Sequence, residues 1–168
     1  MTEEMTTEIQ IRPSKAKDEP TLWTMLMYAA HESSLSAVHV NADLVRYVAG
    51  WGRTGDVGVI AERAGMPVGA AWVRLWSEGD HGYGYVADEV PELAIAVTPE
   101  NRGQGIGTAL LKQLLQMAQG RFPAISLSTQ SDNPARRLYE RLGFIAVAGS
   151  EIVNRRGQYS LYMLRKFE

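Results

Sequence analysis

The sequence predicts a single α/β domain in which helices pack on a mixed sheet. Three observations predict this class. The chain has 168 residues, of which 45% are hydrophobic and 21% are charged, as in an ordinary globular domain. Strand-like and helix-like patterns alternate along it, with strands in the majority. No repeat, linker or low-complexity segment divides residues 1–168, and only residues 1–7, which are acidic and polar, are expected to be flexible.

The composition excludes several kinds of site. The chain has no cysteine, so a thiol nucleophile, a disulfide framework, a thiolate zinc site and an iron–sulfur cluster are ruled out. His31, His39 and His81 form no close-spaced ligand pair, and no metal is expected. The formal net charge of −2 offers no general attraction to nucleic acids or anionic membranes. Because residues 1–7 lack a basic start and no apolar stretch could span a bilayer, the sequence predicts a cytoplasmic protein with neither kind of partner.

The first third of the chain predicts one strand and two helices. Residues 9–11 alternate between apolar and polar side chains, which indicates a short strand. Residues 22–30 carry apolar side chains at helical spacing, and Asp43 can cap a second, short helix over residues 44–48. The glycine-rich segment 50–58 then predicts a loop.

A hairpin and a long acidic segment follow. Residues 57–62 and 68–76 predict two strands, joined by a five-residue connection over 63–67 that contains glycine and proline. The polar segment 77–91 is long enough to be a functional flap, and a solvated connector explains it equally well.

The next segments predict strand, glycine turn, helix and strand in that order. Residues 92–97 are strand-like, and residues 105–120 place leucine, isoleucine and alanine at helical spacing. Residues 125–130 alternate apolar with polar side chains, as a half-buried strand does.

The last quarter of the chain predicts a helix and two strands. Asn133-Pro134 opens the helix and Gly143 ends it. Residues 145–153 and 159–164 then read as two strands around a turn at 154–157.

The most informative segment joins the strand at 92–97 to the helix that follows. Its turn places glycine at Gly103, Gly105 and Gly107, and the first N–H groups of a helix lie at the positive end of the helix dipole without intrahelical partners. Glycine lets main chain approach a ligand closely, and Arg102 adds a charged multiple donor, which suits a pyrophosphate. A tight turn alone explains one or two of these glycines, but not three together with an arginine.

Other phosphate-binding motifs do not fit this spacing. A Walker A motif requires a lysine before the serine or threonine that follows its last glycine, and none precedes Thr108. The dinucleotide pattern G-x-G-x-x-G fails as well, because the third glycine comes one residue early. ATP, GTP and NAD are therefore disfavoured as ligands.

The segment Arg102–Gly107 resembles the R/Q-x-x-G-x-G/A signature of the GNAT N-acetyltransferase superfamily, and residues 97–99 just upstream are similar too. Residues 133–144 resemble the asparagine, tyrosine and glycine-phenylalanine segment of the same family, with small spacing differences. The resemblance is specific from about residue 92 to 144. It implies a GNAT-like fold, with a mixed and mostly antiparallel central sheet of six to seven strands flanked by about four helices.

The resemblance also implies a coenzyme A site. In the family the strand before the turn parts from its neighbour at a bulge, so its main chain pairs with the pantetheine arm while the turn holds the pyrophosphate. Asn133 is either a helix cap or a contact to the pantetheine, and either Arg136 or Arg137 meets the 3′-phosphate. The residues that the resemblance assigns to the cofactor are Ile95, Ala96, Val97, Arg102, Gly103, Gln104, Gly105, Ile106, Gly107, Thr108, Asn133 and Arg136.

Two further residues are implied as catalytic groups. Tyr139 matches the family tyrosine that protonates the departing sulfur, while its spacing alone indicates a packing role. Glu92 lies where a family glutamate accepts the proton of the amine, and a solvated carboxylate at a strand start is the alternative. Glu89, Asp88 and His81 are substitutes for it from the acidic segment.

The function implied by the resemblance is direct transfer of an acetyl group from acetyl-CoA, the co-substrate, to a primary amine of a small molecule or peptide. Trp51, Trp72 and Trp76 either line a pocket for this acceptor or pack in the core. An acetyl-CoA-binding sensor or assembly module without transfer activity is the main alternative; a phosphotransferase lacks its lysine. Relatives commonly dimerise, which leaves a homodimer open.

Overall fold

The computed structural model describes residues 8–153 and 157–167. The flexibility expected for residues 1–7 and most of the turn predicted at 154–157 lie outside the described residues. Within these ranges the chain forms five α-helices and eight strands, and the predicted α/β class with a mixed sheet is confirmed. The chain divides into two compact units. Of the described residues, the first comprises 8–72 with 94–116, and the second comprises 73–93 with 117–153 and 157–167.

The first unit holds the strand order β1-β2-β3-β4. Strands β1 and β2 pair antiparallel, with Ile9 opposite Arg63 and Pro13 opposite Val59. The elements that begin in or cross this unit are β1 (Ile9–Pro13), α1 (Glu19–Ala29), α2 (Leu35–His39), α3 (Ala42–Val45), β2 (Val57–Arg63), β3 (Met66–Arg74), β4 (Glu92–Val97) and α4 (Ile106–Ala118).

Two helix assignments in this unit differ from the sequence-based expectation. Helix α3 is capped by Asn41, whose side chain accepts a hydrogen bond from the backbone N–H of Asp43 at 3.0 Å, so the prediction that Asp43 caps it is wrong. Helix α2 was not predicted. It begins after Ser34, whose hydroxyl accepts from the N–H of Ala37 at 3.1 Å.

The β2–β3 connection has two residues, not five. Ala64 and Gly65 take φ values of 51° and 78°, the left-handed pair that a type I′ hairpin turn requires. The predicted loop over 50–58 also ends too late, because β2 already begins at Val57. Gly58 belongs to the strand, where a Cβ atom would lie 2.8 Å from the hydroxyl of Ser14.

The core of the first unit contains the apolar face predicted for α4. The buried helix positions are Ile106, Leu110, Leu111 and Leu114. Trp72 is 1% exposed and its indole N–H donates to the carbonyl of Tyr47 at 3.0 Å, and Trp51 is buried as well. These two tryptophans are therefore core residues.

The second unit holds the strand order β5-β8-β6, with β7 also paired to β8. Strands β5 and β8 form an antiparallel ladder from Ala124 opposite Lys166 to Gln130 opposite Ser160. A parallel pair, Glu92 opposite Ser126, joins β5 to the start of β4 inside this unit. Its own elements are β5 (Ala124–Gln130), α5 (Arg136–Arg141), β6 (Ile145–Ala146), β7 (Ile152–Val153) and β8 (Tyr159–Lys166).

The single strand predicted over residues 145–153 is wrong, because the segment is interrupted. Gly149 has a φ of 77°, and the Ser150 hydroxyl donates to the carbonyl of Val147 at 2.6 Å, which turns the chain between β6 and β7. No helix within the described ranges is long and apolar enough to cross a membrane.

Candidate active site

The chain enters the predicted phosphate-binding turn through a hydrogen-bonded segment of the first unit. The N–H of Thr98 donates to the carbonyl of Val68 on β3 at 2.9 Å. Asn101 then donates twice to Thr98, from its backbone N–H to the carbonyl at 2.9 Å and from its side-chain amide to the hydroxyl at 2.8 Å. These bonds fix the short 3₁₀ turn Pro99–Asn101.

We call residues 102–108 the glycine turn, although its last three residues, including Gly107, already belong to the first turn of α4. Gly103 and Gly105 have φ values of 77° and 81°, and a Cβ atom added to either would meet no atom within 4 Å. The carbonyl of Gly105 accepts from the N–H of Ala109 at 3.1 Å, so Gly105 caps α4. The N–H groups of residues 106–108 therefore lie in the first helical turn, where no intrahelical acceptor exists. The glycine turn combines open space with main-chain donors.

Two arginines reach the glycine turn. The Nε atom of Arg102 donates to the carbonyl of Val97 at 3.1 Å, and the Nη2 atom of Arg63 donates to the side-chain oxygen of Gln104 at 2.6 Å. Arg63 was missed, since a residue at the end of β2 carries no sequence signal for a contact 41 positions away. The glycine turn thus has two fixed positive charges in place of the one predicted.

The strand residues predicted to meet the pantetheine end β4, just before Thr98 and the 3₁₀ turn. Ala96 is buried, whereas Ile95 and Val97 are half-buried. In the first unit β4 is the last strand of the order, and its ladder with β5 consists of the single pair formed by Glu92. Within the described ranges, one main-chain edge of residues 95–97 is therefore left without a ladder partner.

Glu92 lies in a buried polar cluster of the second unit. Its Oε1 atom accepts from the indole N–H of Trp76 at 2.9 Å and from the backbone N–H of Gly84 at 2.8 Å, and the residue is 3% exposed. Ser126 of β5 completes the group, because its hydroxyl donates to the carbonyl of Gly84 at 2.7 Å. We call these four residues the Glu92 cluster. Glu92 is thus not the solvated carboxylate considered above.

The Glu92 cluster explains two differences from the sequence-based interpretation. Ser126 is fully buried although it is one of the polar residues that alternate with apolar ones in β5, because its hydroxyl has a partner inside the protein. The segment 77–91 is anchored in its middle, where Gly84 is so enclosed that a Cβ atom would lie 2.9 Å from Cδ of Glu92 and 3.0 Å from the main chain of Leu127. It is neither a free flap nor a solvated connector throughout.

The substitute bases lie on the exposed part of this segment. The rings of His81 and Tyr85 stack with centroids 4.5 Å apart, and Asp88 accepts a hydrogen bond from the Tyr85 hydroxyl. That bond raises the pKa of Tyr85 to about 12. Glu89 is exposed. Asp88 already has a donor, and none of the three side chains belongs to the Glu92 cluster.

Tyr139 is buried near the end of α5. Its ring packs edge-on against Phe144 with centroids 6.0 Å apart, and Gly143 (φ 95°) lets the N–H of Phe144 reach the carbonyl of Tyr139 at 3.0 Å, which ends α5 as predicted. Burial raises the pKa of Tyr139 to about 12. Within the described residues its hydroxyl has no hydrogen-bond partner, so it is a protonated donor with its proton unused.

Asn133 and Arg136 lie at the start of α5. The Asn133 side chain accepts from the N–H of Ala135 at 2.9 Å, so it caps a turn just before the helix, which begins at Arg136 and not at Asn133-Pro134 as predicted. Arg136 is engaged with the carbonyl of Ser131 at 3.2 Å and with Glu140 at 3.3 Å. Arg137, by contrast, is exposed and has no partner in the part of the chain that the structure describes.

An open cleft of about 650 Å³ surrounds these residues in the second unit. Polar and charged side chains dominate its lining, which is formed by Ser131, Asp132, Asn133, Pro134, Arg136, Arg137, Leu138, Glu140 and Arg141. Among the described residues no three acidic or histidine side chains are grouped as metal ligands.

The chain matches known proteins both in sequence and in structure. The model of the acetyltransferase (GNAT) family matches residues 12–144. The mycothiol acetyltransferase of Thermobispora bispora is 34% identical over 87 residues, which are 51% of this chain and 28% of that protein. The match to this curated relative thus spans little more than a quarter of the relative's length.

Two solved structures have the same fold over nearly the whole chain. The ribosomal-protein-alanine N-acetyltransferase of Brucella melitensis superposes with a TM-score of 0.69 at 22% identity, covering 94% of this chain and 99% of that one. The yncA protein of Salmonella typhimurium, solved with its cofactor acetyl-CoA, gives a TM-score of 0.73 at 18% identity over 96% and 95% of the two chains. At these identities the likeness concerns the fold alone.

Proposed function

Because the chain belongs to the acetyltransferase (GNAT) family, we propose that it is an N-acetyltransferase that passes the acetyl group of acetyl-CoA directly to a primary amine of a small molecule or peptide. The chain has no cysteine and no serine or histidine in a recognisable nucleophile setting, which favours direct attack over a covalent enzyme intermediate. The amine therefore attacks the thioester itself.

The observation that carries the proposal is the glycine turn. Gly103 and Gly105 leave space that a side chain would fill, and this space lies at the N-terminal end of α4, where main-chain N–H groups favour phosphate oxygens. Arg102 and Arg63 add positive charge at the same turn. The turn therefore fits a diphosphate, and the unpaired edge of residues 95–97 suits the amide groups of a pantetheine arm.

When bound, acetyl-CoA supplies an acetyl thioester whose sulfur is the leaving group. In the second unit, Glu92 accepts the proton that an alkyl ammonium must lose before it attacks, at its carboxylate and through water. Tyr139 holds its proton to a pH of about 12, so its hydroxyl is able to give that proton to the departing sulfur. Arg137 is the better candidate for the 3′-phosphate, because Arg136 already serves Ser131 and Glu140.

Two measurements test the proposal. Isothermal titration with acetyl-CoA should give saturable binding to the purified chain, and the absence of any heat would refute the coenzyme site. Mass spectrometry after incubation with acetyl-CoA and a panel of amines (spermidine, free amino acids, an aminoglycoside and a peptide with N-terminal alanine) should reveal a product heavier by one acetyl group. Tight binding without any acetylated product would instead favour the sensor or assembly module.

A further inference from the structure

A buried hydrogen bond between Trp76 and Glu92 is the feature of the second unit that the proposed chemistry does not yet use. Both residues are almost fully enclosed, at 6% and 3% exposure, and the indole N–H lies 2.9 Å from Oε1 of the carboxylate. A buried indole N–H needs an acceptor, but a neutral carbonyl satisfies it equally well. Trp72 illustrates this, since its N–H donates to the main-chain carbonyl of Tyr47 at 3.0 Å.

We propose that Trp76 is a positioning residue for Glu92, and that the Ser126 hydroxyl supports it by clamping Gly84. The indole N–H of Trp76 holds Oε1 of the carboxylate in one orientation and favours its ionised form, which is the form able to accept a proton from the amine. This inference rests on the proposed function, in which Glu92 is the base.

The clamp, which is the hydrogen bond from Ser126 to Gly84, fixes the second donor to the carboxylate. The N–H of Gly84 donates to Oε1 of Glu92 at 2.8 Å, while the carbonyl of Gly84 accepts from Ser126 at 2.7 Å. Both main-chain polar groups of Gly84 are therefore hydrogen-bonded, the N–H to Glu92 and the carbonyl to Ser126. Two donors on one oxygen fix the plane of the carboxylate, since rotation would break both bonds at once.

Two titratable side chains lie on strands around Glu92: Arg74, buried at the end of β3, the strand next to β4, and Tyr162 of β8. Burial and then the Glu92 charge raise the pKa of the Tyr162 phenol. Tyr162 therefore stays neutral and does not compete with Glu92 as an anion at physiological pH. The Trp76 and Gly84 N–H groups donate directly to the carboxylate.

The test replaces the indole N–H and keeps an aromatic ring. In the full chain labelled with ¹³C at the glutamate carboxyl groups, the Glu92 signal is identified by its loss in Glu92→Gln, and its chemical shift is followed against pH. Trp76→Phe should move the midpoint of this titration upward by about one pH unit, as expected for loss of one hydrogen bond to the ionised form. The matched control Trp72→Phe removes an N–H that donates elsewhere and should leave the midpoint unchanged.

Equal midpoints in Trp76→Phe and Trp72→Phe would overturn the proposal. Should Trp76→Phe fail to fold, Ser126→Ala probes the clamp with a smaller change. A smaller upward shift is expected there, and an unmoved midpoint would refute the clamp.

Kinetics separate this inference from the proposed function. The kinetic assay uses the amine that the wild type acetylates fastest. In Trp76→Phe the apparent pKa of the acidic limb of the kcat/KM profile should rise by the same amount as the NMR midpoint, while the Kd of acetyl-CoA stays constant. Full activity of Glu92→Gln would show that Glu92 is not the base of the proposed function, while the NMR titration would still report whether Trp76 acts on the carboxylate. An inactive Glu92→Gln combined with an unmoved acidic limb in Trp76→Phe would leave the base in place and refute the positioning role.

Discussion

Replacing Gly105 with alanine tests the glycine turn, because the structure separates the two costs of the change. The backbone cost arises from the φ of 81°, at which an L residue loses about 1–2 kcal/mol of folding free energy. No steric cost arises inside the protein, since an added Cβ meets nothing within 4 Å. The methyl group instead occupies the space proposed for the diphosphate.

The loss of cofactor affinity follows from the donors that the methyl group would displace. A hydrogen bond to a charged oxygen contributes about 1.5–3 kcal/mol, so the loss of one bond raises the Kd of acetyl-CoA by roughly 10-fold to 150-fold. Gly50→Ala is the matched control. Gly50 has a φ of 69° and open space around it, but it lies in the turn after α3. It should cost similar stability and leave the Kd unchanged.

The assay pairs urea unfolding with isothermal titration of acetyl-CoA for both variants. Equal losses of stability with a weakened Kd only in Gly105→Ala would support the glycine turn as the diphosphate site. An unchanged Kd in Gly105→Ala would refute the reasoning. A comparable loss of affinity in Gly50→Ala would show that the Kd follows stability and not the local space.

Three further variants address the remaining parts of the molecule. Tyr139→Phe should lower kcat by at least about 100-fold. The Kd of acetyl-CoA and the free energy of unfolding should stay unchanged, since the hydroxyl has no partner within the described residues. An undiminished kcat in steady-state assays would argue against the acid role. Gly84→Ala should lower the free energy of unfolding in urea by about 1–3 kcal/mol, because its Cβ would press on main chain. The control Gly79→Ala, in open space, should lower it far less. Equal losses in the two variants would contradict the anchored loop. Asp18→Asn should destabilise the chain by about 2 kcal/mol at pH 7, because two hydrogen bonds from Arg12 hold the pKa of Asp18 below its usual value. That stability is present above the unfolded pKa of about 3.9 and is lost as pH falls through the folded pKa. The melting temperatures of wild type and Asp18→Asn should therefore converge at low pH. A difference that stays constant with pH would exclude this linkage.

Local sequence signals predicted much of what forms the candidate site. The spacing of apolar side chains predicted α4 and its buried face, and alternating glycines next to an arginine predicted the glycine turn. Gly143 ended α5 as expected, because the left-handed residue after a helix is a property of that residue and its immediate neighbours. In each case the determining interactions lie within a few residues of one another.

Errors arose where a residue's neighbours in space differ from its neighbours in sequence. Ser126 is one of the polar residues that alternate with apolar ones in β5, yet it is buried, because the loop containing Gly84 supplies an acceptor for its hydroxyl. The strand predicted over residues 145–153 is wrong for a local reason, since Gly149 and the Ser150 hydroxyl turn the chain there.

By itself, the sequence determined the α/β class, the glycine turn and the candidate residues that the family resemblance attached to it, since these depend on periodicity and on short runs of particular residues. Only the tertiary structure decided that Glu92 is buried under Trp76 and Gly84, and that Arg63 reaches Gln104 from 41 positions away. Such pairs leave no periodic trace in the chain. Their partners are chosen by how the strands and loops pack, and a hydrogen bond depends on distances of a few tenths of an ångström that packing alone sets.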